Sequence, residues 1–182
     1  LEQLVFIEDS HLYWNGAKAW LQAGYFAVEN QGRFLPQTER VPLYFLFLTA
    51  FHWLFEEPLW PVLISQLSID VVSCGIIAAI GNLFANSVGK VAGILAVVWP
   101  NFIIHSSLIL TDTVFVFLFC LCLYACARFL ISGNIRTVVI AGLLCGAAII
   151  TRPVVQFLPD ALAVGLPRAR PRRVLDQRYY RE

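Results

Sequence analysis

The sequence predicts an all-α protein, a polytopic transmembrane helix bundle with amphipathic interfacial helices in its first outer loop. Three observations lead there. Of 182 residues, 59% are hydrophobic and only 14% charged, whereas an ordinary soluble domain carries about a quarter charged residues. Between Leu59 and Pro159 the charges thin to Asp70, Lys90, Asp112, Arg128, Arg136 and Arg152. The apolar runs in that stretch have the length of membrane spans, since about 20 helical residues cross about 30 Å of hydrocarbon. A water-soluble globular domain is excluded. The chain starts with Leu1 and contains no Met, so it reads as a piece of a longer protein.

Taken in order, residues 1–58 read as an outer-face loop. They hold seven acids against three bases. From Ser10 to Gly24, apolar Tyr13, Ala17, Trp20 and Leu21 follow helical spacing, with His11, Asn15, Lys18 and Gln22 on the opposite face. Asp9 or Ser10 is placed to cap the start and Gly24 to end it. Trp14 and Trp20 suit a membrane interface. Val41 to Phe55 is apolar but short, bracketed by Pro42 and Glu56-Glu57-Pro58, and reads as a segment lying in the interface.

Residues 59–158 read as about four transmembrane helices. Leu59 to Ala85 fits one span. Val91 to Ile131 would reach about 60 Å as a single helix and must fold back. Its polar cluster, His105-Ser106-Ser107 through Thr111-Asp112-Thr113, marks the turn. Thr137 to about Leu158 makes the fourth. Lys90, Arg128 and Arg136 lie in short loops without acids, so the positive-inside rule puts those loops in the cytoplasm and Asp112 with the acidic N-terminal region outside. Residues 159–182 carry six Arg interleaved with Pro and read as a solvated basic tail rather than a nucleic-acid site. The five cysteines lie in the apolar middle and behave as small hydrophobes, with no zinc spacing.

Ionisable groups in or beside spans are functional candidates, because inserting one costs about 2.5–3.5 kcal/mol. Asp70, in mid-span, lines a polar path or makes a packing hydrogen bond to a Ser or Thr of a neighbouring helix. Asp112 is a candidate acid, or a cap for a helix starting at Thr113. Asn101, His105 and Asp112 share one face only if their helix is unbroken. Arg152 lies towards the outer side of its span, where its guanidinium suits a lipid phosphate or pairs with Asp112 or Asp70. Asp9, Glu39 and Arg40 fall on the same outer side. Together they suggest acid/base chemistry on a lipid-borne phosphate, with Asp9 as base and Arg40 and Arg152 holding an anionic leaving group.

The run Glu8-Asp9-Ser10-His11-Leu12-Tyr13, followed by Ala17, Leu21 and Gly24, resembles the first outer loop of the GT-C superfamily of membrane glycosyltransferases. Within it the chain is most similar to the dolichyl-phosphate-mannose protein mannosyltransferase group, which includes the bacterial aminoarabinose transferases. The resemblance continues through Glu39-Arg40-Val41-Pro42-Leu43-Tyr44, Thr111-Asp112, Gly142 to Gly146 and Thr151-Arg152-Pro153, covering about residues 8–159. It implies an inverting transfer of a sugar from a polyprenyl-phosphate carrier to a protein, lipid or glycan acceptor. The setting is the outer or lumenal face of a prokaryotic cytoplasmic membrane or the endoplasmic reticulum. Asp9 matches the family's catalytic carboxylate and Asp112 its second acid. Arg40 matches a basic residue near the carrier phosphate and Glu39 an acid near a metal. A divalent metal stays open, because many relatives read Asp-Glu where this chain has Asp9-Ser10. Tyr13, His105 and Asp70 complete the accessory candidates with Glu39. The competing reading is a non-enzymatic transporter or accessory membrane subunit in which Asp70 and Arg152 line a path.

Overall fold

The computed structural model describes residues 5, 6, 8–38 and 40–168. The first helix, α1, spans Glu8–Ala23, so Asp9 and Ser10 sit in its first turn and do not cap it from outside, as the sequence suggested. Tyr13 and Ala17 are buried while His11, Asn15, Lys18 and Gln22 are exposed, as the helical spacing predicts; Leu21 departs from the pattern and is exposed.

An antiparallel hairpin follows, β1 (Ala27–Asn30) paired with β2 (Arg33–Pro36). Helical periodicity gave no hint of it. Its two-residue connection, Gln31-Gly32, has φ of 50° and 76°, the left-handed pair that matches strand twist in tight hairpins.

Helix α2 (Leu43–Leu54) is the expected short apolar segment: Tyr44, Phe45 and Leu48 are buried, and Leu46, Trp53 and Leu54 are exposed. Tyr13 meets Tyr44 edge-on at 5.2 Å between ring centroids, and Phe45 packs against both Tyr13 and Phe26 at 5.0 Å. Val62, Ile109 and Val114 continue this core into the bundle.

Helix α3 (Leu59–Asn82) runs 24 residues, about 36 Å, and packs inside out relative to a soluble helix. Gln66, Asp70 and Ser73 are buried, whereas Trp60, Ile64, Leu67 and Val71 are exposed. Such a face needs lipid around it. Helix α4 (Asn86–Val98) meets α5 (Pro100–Ser106) at a 51° bend, where Pro100 lacks the N–H that would continue the ladder. The turn at 107–111 falls where the polar cluster placed it.

Helix α6 (Asp112–Ser132) ends at Gly133, whose φ of 65° lets its N–H close back on the Phe129 carbonyl at 2.8 Å. Here Asp112 is the first helical residue and Thr111 the cap position, which corrects the reading of Asp112 as a cap. Helix α7 (Ile135–Ile149) starts at Asn134, whose side chain accepts from the Arg136 N–H at 3.0 Å.

The expected fourth span was to run to Leu158, but its helix stops at Ile149 after 15 residues, about 22 Å. The cause is Pro153, which drives Arg152 into an extended conformation (φ −155°, ψ 117°) before a short 3-10 turn, Pro153–Val155. Helix α8 (Leu158–Arg168) occupies the first part of the stretch read as a basic tail; residues 169–182 of that tail lie outside the described residues.

The molecule is thus nearly all helical and an integral membrane protein. Helices α3 and α6 are long and apolar enough to cross a membrane, and α4 with α5 makes a third if the bent pair is one span.

Candidate functional site

Two connections carry the N-terminal region onto one end of the bundle. The Leu43 N–H donates to the Ile150 carbonyl at 3.2 Å, setting the segment before α2 beside Thr151-Arg152-Pro153. The core of α1 and α2 then sits over the 107–111 turn, placing the first turn of α1 near the start of α6. A cavity of about 470 Å³ opens there, lined by Asp9, Tyr13, Arg40, Asp112, Thr151 and Arg152.

Arg40 Nη2 donates to Asp9 Oδ1 at 3.1 Å, and the Arg40 guanidinium lies 5.9 Å from the centre of the Tyr13 ring. Arg152 is paired with Asp112. The four side chains keep access to the cavity, with exposures of 39% and 55% for Arg40 and Asp9, and 46% and 23% for Arg152 and Asp112. Two guanidinium groups and two carboxylates therefore face one space. Each cation is neutralised by an acid in exposed geometry, where an ion pair holds only about 0–1 kcal/mol. A phosphate offering bidentate, charge-assisted hydrogen bonds can compete for either arginine.

Behind Tyr13, burial pushes the Tyr44 phenol well above its ordinary value, with Tyr13 and Asp112 adding to the shift. Tyr44 thus stays neutral. The sequence named Tyr44 only within the motif that carries the resemblance and gave it no site role, because an aromatic in an apolar helix reads as packing. Thr151 was also passed over as a site residue. It is buried, and its hydroxyl donates to the Ala147 carbonyl at 2.8 Å, holding the chain where α7 stops.

A second cavity, about 210 Å³, lies beside the first and is lined by Asp70, Trp99, Asn101, His105, Asp112 and Thr113. The Thr113 hydroxyl lies 3.4 Å from both Asp70 Oδ2 and the His105 carbonyl oxygen and can donate to either. Asp70 therefore makes the interhelical hydrogen bond that was one of its two readings. Asn101, His105 and Asp112 share a cavity although their helix is broken, because the bend at Pro100 and the 107–111 turn bring them round to it.

Of the residues singled out in the sequence, Asp9, Tyr13, Arg40, Asp112 and Arg152 converge on the larger cavity. Asp70 and His105 line the smaller one, and Asp112 borders both. Glu39 lies outside the described residues. Among the described residues no three His, Cys, Asp or Glu side chains are grouped to hold a metal ion, and Asp9 and Asp112 each face an arginine.

No curated protein and no solved structure matches the chain. The family model described as dolichyl-phosphate-mannose-protein mannosyltransferase matches residues 39–178, a range that includes Arg40, Asp112 and Arg152 while Asp9 precedes it. Matched over most of its length, the chain belongs to the dolichyl-phosphate-mannose-protein mannosyltransferase family.

Proposed function

We propose that the larger cavity is the donor end of a membrane glycosyltransferase site, moving a sugar from a polyprenyl-phosphate carrier to an acceptor hydroxyl or amine at the outer or lumenal face. The carrying observation is the convergence of Asp9, Arg40, Asp112 and Arg152 on one space from positions 31 and 40 residues apart within each pair. Family membership supports the donor class.

In this reading the donor phosphate displaces the carboxylates from Arg40 and Arg152. Asp9, released from Arg40, takes the proton of the acceptor as its oxygen or nitrogen attacks the anomeric carbon from the side opposite the phosphate. The bond from that carbon to the phosphate oxygen breaks, and its electron pair leaves on the phosphate. That oxygen gains negative charge as the bond breaks, so the two guanidinium groups bind the transition state more tightly than the ground state. Asp112 keeps Arg152 extended towards the cavity before the donor arrives. Lys90, Arg128 and Arg136 at the opposite end of the antiparallel helices support an outer or lumenal placement.

The transporter alternative needs Asp70 and Arg152 on one path; they line two adjacent cavities that share Asp112. Replacing Asp9 with Asn in the full-length protein should lower sugar transfer by about 10²–10⁴-fold, the usual contribution of a general base, with membrane insertion unchanged. Full activity in that variant would remove Asp9 from the mechanism.

A further inference from the structure

Asp112 stands in the wall between two cavities, and each offers it a different partner. In the outer cavity that partner is Arg152. A phosphate arriving on Arg152 would set a second anion beside the carboxylate, and the two repel. The inner cavity provides somewhere to go. The 51° bend at Pro100 carries His105 over it, and His105 Nδ1 is buried with no hydrogen-bond partner among the described residues. A buried polar atom without a partner is unusual enough to need a reason. The space is about 210 Å³, room for several waters at about 30 Å³ each, so a carboxylate can enter it by displacing solvent and leaving the packed side chains in place. Asp70 also lines this cavity, buried, with its Oδ2 within 3.4 Å of the Thr113 hydroxyl.

Resting on the phosphate reading above, we propose that His105 is a positioning residue: it receives the Asp112 carboxylate in the inner cavity when a donor phosphate takes Arg152. Asp112 rotates about its Cα–Cβ bond between the two partners. The imidazole N–H donates to the carboxylate in the donor-bound state and holds it away from the phosphate on Arg152. His105 touches neither donor nor acceptor and acts through Asp112.

A double-mutant cycle on the full-length protein tests this, with binding of a short-chain polyprenyl phosphate followed by calorimetry in detergent. His105→Phe should weaken binding about tenfold in the native background and less than about twofold in Asp112→Asn, where no charge needs a second place. His105→Gln, which keeps an N–H donor, should restore most of the affinity. An equal penalty in both backgrounds makes His105 a packing residue and overturns the proposal while leaving the phosphate site standing. Unchanged affinity in Arg152→Gln removes the phosphate site itself, and the proposal falls with it. Should the Phe variant not fold, His105→Ala completes the same cycle.

Discussion

At the residue scale the charged side chains were legible as candidates, and Asp112 stood among the partners open to Arg152, but the pairing of Asp9 with Arg40 was not foreseen. Few charges survive in an apolar stretch without a use, so Asp112 and Arg152 stood out, whereas Asp9 and Arg40, in a charge-rich loop, were marked by the family resemblance. Which acid meets which base depends on how α1 and the segment before α2 dock on the bundle, and no local spacing encodes that. Asp70 shows the same limit: both its hydrogen bond to Thr113 and its place in the wall of the smaller cavity depend on how α3 and α6 pack. Arginine was the informative choice at position 152. Its planar fork pairs with Asp112 in the free state and offers the same donors to a phosphate. Replacing it with Lys keeps the charge but loses the bidentate geometry. We expect Arg152→Lys to raise the KM for the polyprenyl-phosphate sugar by about tenfold, close to the effect of Arg152→Gln, with a smaller change in kcat. Steady-state kinetics at varied donor concentration check this, and full rescue by Lys would mean that charge alone suffices.

At the scale of elements, the long helices and the 107–111 turn followed from run length and polar clustering. The misses have local causes. Four-residue strands are too short to show alternation, and Gln31-Gly32 is a weaker hairpin signal than Asn-Gly or Asp-Gly. The early stop of α7 comes from Pro153, a signal present in the sequence but outweighed there by the apolar residues around it. The docking of α1 on α2 depends on Gly16, since a Cβ there would lie 2.9 Å from Cδ1 of the fully buried Phe45 ring. We expect Gly16→Val to destabilise this docking by about 1–3 kcal/mol, the range for overpacking a filled site. Gly142→Ala, with nothing within 4 Å of the added carbon, should be neutral or slightly stabilising. Thermal unfolding in detergent distinguishes them.

The same junction carries a pH dependence. His52 contacts Trp14 at 4.4 Å between ring centroids. Burial lowers its pKa below the ordinary 6.5, and nearby Lys18 adds to that against the Leu48 carbonyl, which favours the charged form. The unfolded chain therefore binds the proton more readily than the folded one, so the stability is present above about pH 6.5 and is lost as pH falls through the folded pKa. Proteolysis of α1 should accelerate below that pH, and His52→Phe should abolish the acceleration.

At the scale of the whole molecule, the distribution of charge described both ends of the bundle before any contact was known. The sparse middle became α3 to α7. The outer candidates gathered at one end, and Lys90 falls near the turn at the other. What composition could not supply was the second cavity, which exists because α4 and α5 bend and two helix ends meet behind Asp112. A membrane-impermeant amine reagent applied from outside should leave Lys90 unmodified in sealed vesicles and react once they are opened. Labelling in intact vesicles would reverse the topology and move the proposed site to the cytoplasmic face.

In the proposed mechanism one cavity separates its tasks, with arginines holding the donor and Asp9 taking the proton. Donor affinity and single-turnover transfer, measured side by side on full-length Asp9→Asn and Arg40→Gln, test it most directly. Asp9→Asn should lose about 10²–10⁴-fold in transfer with donor affinity retained, while Arg40→Gln should lose donor affinity about tenfold. Loss of donor binding in Asp9→Asn with chemistry intact, or unchanged affinity in Arg40→Gln, would contradict it.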